Sequence, residues 1–201
     1  MGLIHILRAI ATRAHPPYPR GPMTNLIPLD NIDPALVEDL LDRAFGADRF
    51  ARTAYKVRDG ADWLPALSFA ALDDDDRLTG TIQCWPVALT APARDGPTRN
   101  NRPPRRHPLI MVGPVAVLPD RQREGFGQAL MTAALGALSP QAPLPQVMIG
   151  DADYYERFFG FTAAHTGGWR LPGPWDPARL LCRADNVALL PREGTLGPWL
   201  D

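Results

Sequence analysis

A buried strand, a glycine-containing turn and a helix follow one another directly in the chain, and this succession constrains the fold most. The strand, residues 108–117, is almost wholly apolar but has Gly113-Pro114 at its centre. Proline does not fit a regular central ladder, and glycine within a strand is typical of a bulge or a splayed strand. The polar turn at residues 121–127 leads into apolar residues at helical spacing over residues 128–138. We therefore expect an irregular strand that runs through a tight turn into a helix.

A helical pattern precedes this segment, and two strand patterns lie between them. Asp33 and Pro34 suit the N-cap and the first position of a helix. The apolar stripe of that helix consists of Leu36, Val37, Leu40, Leu41, Ala44 and Phe45. Residues 48–57 predict a second, weaker helix. Residues 64–72 and 78–89 are rich in strand-forming residues and predict an antiparallel hairpin, whose solvated turn is a run of four aspartates.

The remaining segments complete a mixed fold. Residues 90–107 are expected to form a long polar loop. Residues 146–149 predict another buried strand and residues 153–159 a short aromatic helix, after which two late strands and an irregular C-terminal tail are expected. The order of helices, hairpin, strand, turn, helix, strand and helix indicates an α+β (mixed α/β) fold in which helices cover the faces of the sheet.

The length and composition limit the class of protein. The 201 residues suit one domain with an appendage. We expect residues 1–22, which carry three arginines and no acid, to be a flexible N-terminal extension, and residues 23–201 to form a single domain that starts at Met23.

The charge and the residue usage limit the partners. A formal net charge of −1 excludes the broad basic surface of non-specific nucleic-acid binding, and every long apolar stretch is interrupted by proline or glycine, which excludes a membrane span. Two cysteines and four scattered histidines argue against a metal site. We expect a cytoplasmic protein with neither nucleic acid nor membrane as partner, and the preference for arginine over lysine favours a bacterial source.

The turn at residues 121–127 is typical of an anion-binding site. The first N–H groups of a helix lack internal partners, and the helix dipole is positive at that end. Gly125 and Gly127 leave the backbone open to a phosphate group. A dinucleotide fingerprint needs glycine or alanine where this chain has Leu130, and no Gly-Lys-Ser/Thr tripeptide of a Walker loop is present. The spacing predicts a phosphate or pyrophosphate ligand, with a purely structural helix start as the alternative.

Within this turn, Gln122-Arg123-Glu124-Gly125-Phe126-Gly127 resembles the Q/R-x-x-G-x-G/A signature of the GNAT superfamily of acetyl-CoA-dependent N-acyltransferases. Val115-Ala116-Val117 and the following Pro119-Asp120 resemble the fourth strand of that family and the start of its pyrophosphate loop. Residues 154–161 resemble the family's helix that ends in Gly-Phe, and the similarity extends over about residues 24–185. The resemblance implies a mostly antiparallel, twisted sheet with a splayed fourth strand and flanking helices.

The resemblance also implies a reaction. An acetyl group would pass from acetyl-CoA, as co-substrate, to a small-molecule or peptide amine by direct attack in a ternary complex, without a metal. A non-catalytic acyl-CoA-binding sensor or structural module of the same fold is the alternative, and a homodimer is compatible with either. The residues implied in binding acetyl-CoA are Val115, Ala116, Val117, Gln122, Arg123, Glu124, Gly125, Phe126, Gly127 and Gln128.

The catalytic residues follow from the same resemblance, with one departure. The family's tyrosine lies four residues before the glycine of Gly-Phe, where this chain has Glu156, and Tyr155 lies five residues before it. A bulge or one-residue shift at Phe158-Phe159 would explain the offset. We predict that Tyr155 protonates the leaving thiolate, with Tyr154 as the alternative and core packing as a structural role for both. Asp151 and Glu156 are candidate bases, although a helix cap and a solvated helix face account for them more simply.

Overall fold

The computed structural model describes residues 25–92, 104–138 and 144–200, which form eight strands and four α-helices joined in places by 3₁₀ turns. The predicted extension at residues 1–22 and most of the predicted loop at residues 90–107 lie outside the described residues. In chain order the elements are β1 (Asn25–Pro28), α1 (Pro34–Phe45), α2 (Thr53–Val57), β2 (Phe69–Leu72), β3 (Leu78–Ala91), β4 (Arg105–Val117), α3 (Phe126–Gly136), β5 (Gln146–Ile149), α4 (Ala152–Phe159), β6 (Gly168–Arg170), β7 (Leu180–Arg183) and β8 (Glu193–Pro198).

The strands form a mixed sheet in the order β1-β2-β3-β4-β5-β7, and β8 pairs with both β3 and β6. The pairs β1–β2, β2–β3, β3–β8 and β5–β7 are antiparallel, whereas β4–β5 and β6–β8 are parallel. This arrangement confirms the predicted α+β class and the mostly antiparallel sheet. None of the helices in the described ranges is long and apolar enough to cross a bilayer.

The chain divides into two compact units, and the described part of the first comprises residues 25–50, 63–85 and 112–138. Its core forms where α1 packs on small residues of the sheet, Ala70 of β2 and Ala116 of β4. Alanine at these positions lets the helix approach the strands closely. The other buried members of this cluster are Leu29, Val37, Leu40 and Leu41.

Helix α1 starts as predicted, but its apolar stripe is narrower. The Asp33 carboxylate accepts the N–H of Ala35 at 2.9 Å, and Pro34 occupies the first helical position. Leu36 is included in the predicted apolar stripe, but it is 55% exposed and does not belong to the buried face. Neighbouring residues on a helix point about 100° apart, so Leu36 turns to solvent when Val37 faces the sheet.

A single helix over residues 48–57 is not formed, and that prediction is wrong. A 3₁₀ turn at Ala47–Ala51 comes first, and α2 follows it. The buried side chain of Arg49 accounts for the turn, because its guanidinium donates to Asp42 on α1 at 2.7 Å and also to Glu38. A charge that is almost fully buried needs such partners, so these two carboxylates hold the turn against α1.

The described part of the second unit comprises residues 51–62, 86–92, 104–111 and 144–200. Phe161 and Trp169 are fully buried in it, and the indole N–H of Trp169 donates to the carbonyl of Pro191 at 2.9 Å. The prediction of an irregular C-terminal tail is wrong, because β8 pairs with β3 over four residues and with β6 over three. Two glycines and a proline in β8 hide its strand character in the sequence.

Most of the remaining elements have the predicted type but begin or end at different residues. The first hairpin strand starts at Phe69, because residues 65–67 form a 3₁₀ turn. Strand β3 continues to Ala91 and β4 begins at Arg105, so both strands include residues that were predicted as loop. The strand at residues 146–149 has its predicted bounds, and helices α3 and α4 each start slightly earlier than predicted.

The exposure of α1 residues gives a stability prediction. We expect Leu40→Ala to reduce the free energy of unfolding by about 2–5 kcal/mol, because it removes a fully buried side chain and leaves a cavity. Leu36→Ala is the matched control on the same helix and should change it by no more than about 0.5 kcal/mol. Urea unfolding followed by circular dichroism measures both. Equal losses in the two variants would contradict the assignment of the buried face.

Candidate functional site

The end of strand β4 has the irregularity that the sequence predicts. The parallel ladder with β5 covers two residue pairs and ends at Met111. Gly113 follows with φ +115°, a backbone conformation that other residues rarely adopt. Beyond it, the side chain of Ala116 is buried in the core of the first unit, whereas Val115 and Val117 are half-buried. The predicted binding segment therefore has alternating exposure along a distorted strand.

The loop after β4 reaches α3 through two residues with left-handed backbone. A 3₁₀ turn at Pro119–Arg121 is followed by Arg123 with φ +71° and Gly125 with φ +94°. Glycine adopts this conformation readily, but for an arginine it carries a cost of about 1–3 kcal/mol, and such residues cluster at ligand sites. The conformation of Arg123 thus marks this loop as a candidate site independently of the glycine spacing.

The N-terminus of α3 has no side-chain cap, unlike the N-termini of the other two helices of eight or more residues in the described ranges. Asp33 caps α1 and Asp151 caps α4, whereas the N-cap of α3 is Gly125. The first N–H to bond within α3 is that of Ala129, which donates to the Gly125 carbonyl at 3.0 Å. The three preceding N–H groups, of Phe126, Gly127 and Gln128, are left without an intrahelical acceptor at the positive end of the helix. This arrangement suits a phosphate or another anion.

The two glycines of this loop differ in what the structure demands of them. Gly125 is needed for its left-handed φ, and a Cβ there would meet no heavy atom within 4 Å. Gly127 is helical, and a Cβ added to it would lie 3.8 Å from Cγ2 of Val117, which is an ordinary contact. Internal packing therefore tolerates a side chain at position 127. The glycine at that position therefore leaves the backbone open without being demanded by packing.

The loop is anchored by an ion-pair network that the sequence analysis missed. The guanidinium of Arg121 donates to Asp73 at 2.9 Å and to both carboxylate oxygens of Glu124 at 3.0 and 3.1 Å. Asp73 begins the turn of the β2–β3 hairpin. Hydrogen bonds from the backbone N–H of Arg77, from Arg121 and from the backbone N–H of Asp75 hold the pKa of Asp73 below its ordinary value.

The four aspartates form the hairpin turn that the sequence predicts. The sequence offers a signal only for the pair of Arg121 and Glu124, which lie three positions apart. It offers none for the pair of Arg121 and Asp73, which lie 48 positions apart. In the parts of the chain that the structure describes, no group of three or more histidine, cysteine or carboxylate side chains is arranged to hold a metal ion.

The second group of predicted residues lies on α4, in the second unit. The Asp151 carboxylate accepts the N–H of Tyr154 at 3.3 Å, which is the capping role that the sequence offers for it. The helix is continuous to Phe159, and the N–H of Gly160 donates to the carbonyl of Glu156 at 3.1 Å. The expected bulge at Phe158-Phe159 is therefore absent from this helix. The offset is a one-residue difference in spacing, and the Glu156 side chain is exposed.

The ring of Tyr155 packs directly on the backbone of Gly150. A Cβ at position 150 would lie 2.6 Å from Cε2 of that ring, so glycine is required there. Gly150 is fixed by Arg179, whose carbonyl accepts its N–H at 2.9 Å and whose Nε donates to its carbonyl at 3.3 Å. Tyr154 and Phe161 contact the Tyr155 ring edge-on, with centroid separations of 5.0 and 6.5 Å. The sequence analysis did not single out Gly150, because the need for glycine there comes from the contact with the Tyr155 ring.

Burial keeps the hydroxyl of Tyr155 protonated. Loss of solvent raises the pKa of Tyr155 to about 12, with smaller contributions from Tyr154 and Asp151, and nearby Arg179 partly offsets the rise. Burial also raises the pKa of Tyr154. Both phenols therefore carry their proton at neutral pH and have the chemistry of an acid.

The two cysteines do not have the environment of a nucleophile. Cys84 in the first unit and Cys182 in the second are buried, and burial raises the pKa of each thiol to about 12. The thiolate is the reactive form, so neither side chain is activated.

Comparisons with known proteins identify a family and similar folds. Residues 35–161, more than half of the chain, match the family model described as the acetyltransferase (GNAT) family. A GNAT family N-acetyltransferase (YhbS) from Escherichia coli, solved in complex with CoA, has 21% sequence identity and a TM-score of 0.61 over 90% of this chain and 92% of that one. A GNAT family acetyltransferase from Brucella melitensis, in complex with acetyl-CoA, has 26% identity and a TM-score of 0.49 over 81% and 88%. No curated protein sequence matches the chain.

The environment of Tyr155 gives a spectroscopic prediction. Because its pKa is raised to about 12, Tyr155 should contribute no tyrosinate absorbance at pH 10.5, where an ordinary tyrosine with a pKa of about 10 is mostly ionised. Wild type and Tyr155→Phe should therefore give the same signal near 295 nm at that pH. The folded state holds this proton more tightly than the unfolded chain, so its stabilising contribution is complete below about pH 10 and is lost as the pH rises towards 12. A smaller signal in Tyr155→Phe at pH 10.5 would contradict the prediction.

Proposed function

This chain belongs to the acetyltransferase (GNAT) family, and from that premise we propose that it is an N-acetyltransferase. The acetyl group of acetyl-CoA would pass to a small-molecule or peptide amine by direct attack in a ternary complex. The observation that carries the proposal is the uncapped N-terminus of α3, preceded by left-handed Arg123 and Gly125. That site suits the pyrophosphate of CoA, because it offers several backbone N–H groups and a positive helix end.

The distorted end of β4 has a proposed role beside the pyrophosphate. The N–H of Leu118 donates to the carbonyl of Thr79 on β3 at 2.9 Å. Because successive N–H groups along a strand point in opposite directions, the N–H of Val117 points away from β3. We assign residues 115–117 to pairing with the pantetheine arm and an N–H near Val117 to the thioester oxygen, where negative charge grows during attack. One such donor typically contributes roughly 3–4 kcal/mol to transition-state stabilisation.

Tyr155 is the proposed acid for the departing CoA thiolate. It carries its proton at neutral pH, as an ordinary tyrosine also does, and Gly150 and Phe161 fix the position of its ring. Capping accounts for Asp151 and solvent exposure for Glu156, so the proposal gives neither a part in deprotonating the amine. In the proposed step the thioester C–S bond breaks and the amide C–N bond forms. Tyr155 gives its proton to the sulfur, and the proton that the amine nitrogen loses passes through solvent and restores the Tyr155 hydroxyl.

The pyrophosphate site is tested by a side chain at position 127. We expect Gly127→Val to weaken CoA binding at least roughly tenfold, because the branched side chain would occupy the space that the ligand needs beside the backbone. Gly136→Val is the matched control in the same helix, where an added Cβ has no neighbour within 4 Å. Isothermal titration with CoA, acetyl-CoA, ATP and NAD measures affinity and selectivity. Binding of ATP or NAD but not of CoA would contradict the proposed function.

The proposed acid is tested by two tyrosine variants. Tyr155→Phe removes the hydroxyl and keeps the ring, so kcat should fall at least roughly tenfold while acetyl-CoA affinity stays within about twofold. Tyr154→Phe, the neighbouring control, should be close to neutral. The assay follows CoA release with a panel of amines: L-lysine, spermidine, kanamycin and a short peptide with a free N-terminus. Wild-type kcat in Tyr155→Phe would exclude it as the acid, and acetyl-CoA binding without turnover of any amine would favour the non-catalytic sensor.

A further inference from the structure

The loop before α3 carries a negative side chain next to a site that is proposed to bind an anion. Glu124 directly precedes Gly125, the N-cap of α3. A carboxylate at this position is attracted by the same backbone N–H groups and helix dipole that attract a phosphate. A Glu124 side chain free to move would cap the helix itself, and it would also repel an incoming anion. The loop therefore needs a means to keep this carboxylate away.

Arg121 binds the Glu124 carboxylate. Its Nε donates to both oxygens of the Glu124 carboxylate, at 3.0 and 3.1 Å, and its guanidinium lies 5.3 Å from the centre of the Phe126 ring. Phe126 is almost fully buried, so the ring offers a fixed surface. Charge-assisted bonds from one arginine nitrogen to both oxygens hold the carboxylate in a single direction.

Arg121 is itself fixed from the other side. Its Nη1 donates to Oδ2 of Asp73 at 2.9 Å, while Oδ1 of Asp73 accepts the N–H groups of Asp75 and Arg77, each at 3.0 Å. The Asp73 side chain is only 12% exposed. An isolated surface ion pair contributes little to stability. Here the Asp73 carboxylate is mostly buried and held by hydrogen bonds, so it fixes the orientation of Arg121. The hairpin turn thus determines where Arg121 holds Glu124.

The charges of this network argue against direct binding of a phosphate by Arg121. One guanidinium is shared between two carboxylates, so little of its charge is available for a phosphate. We propose that Arg121 is a positioning residue that withdraws the Glu124 carboxylate from the N-terminus of α3 and so keeps that site open to the pyrophosphate of CoA. This inference rests on the proposed function and names a residue outside the glycine signature on which cofactor affinity depends.

The test is a rescue experiment. Arg121→Gln frees the Glu124 carboxylate, and we expect the dissociation constant for CoA to rise at least roughly tenfold in isothermal titration. The double variant Arg121→Gln/Glu124→Gln removes the freed charge and should recover affinity to within about threefold of wild type. Asp73→Asn should give an intermediate loss. Asp75→Asn, in the same turn but paired only with exposed Arg77, is the control and should bind as wild type does.

The outcomes separate this role from the alternatives. If Arg121 bound the phosphate directly or only stabilised the fold, the double variant would bind CoA no better than Arg121→Gln, and that result overturns the proposal. Thermal unfolding of each variant shows whether the fold is kept. If wild type binds no CoA, the proposed function fails, and the same variants are titrated with inorganic pyrophosphate. The same order of affinities for pyrophosphate supports the role of Arg121, and absent binding or absent rescue overturns it.

Discussion

The first N–H groups of α3 have no side-chain cap, and the proposed function depends on this feature of the loop. A helix start normally acquires a side-chain cap, as Asp33 and Asp151 provide elsewhere in this chain. Here the N-cap is a glycine, the preceding backbone includes an arginine with left-handed φ, and the Glu124 carboxylate is paired with Arg121. Each of these features costs stability or gives up a stabilising contact. The proposed function gives them a common reason, because the pyrophosphate of CoA would complete the helix end.

Much of the fold can be predicted from local sequence patterns. The cap and the proline at the start of α1, the hairpin with its aspartate turn and the strand at residues 146–149 all depend on residues within a few positions of each other. The glycine spacing of the loop belongs to the same class, because backbone conformation and the approach of a ligand act through the local chain. Such features can be predicted from the sequence because no distant residue has to be known.

The features that the sequence analysis missed depend on contacts that only the folded chain shows. Asp73 and Arg121 meet only because the hairpin turn and the loop are neighbours in the folded unit. Arg49 draws its turn onto α1 through two carboxylates, which breaks the helix that local spacing predicts. Gly150 gains its importance from the ring of Tyr155 above it. The part that Tyr155 plays in catalysis stays a prediction, since packing and protonation state permit that role without demonstrating it.

The pairing of β8 with β3 has a consequence for the order in which the protein is made and folded. Residues of the two strands that face each other, such as Val87 and Pro198, are more than one hundred positions apart. A ribosome therefore synthesises β1, β2, β3 and α1 long before the last partner of β3 exists. The late half of β3 has to wait with an unpaired edge, which is the kind of surface that associates with other chains. Completion of this part of the sheet therefore waits until residues 193–198 have been synthesised, and loss of that segment would leave the edge of β3 uncovered.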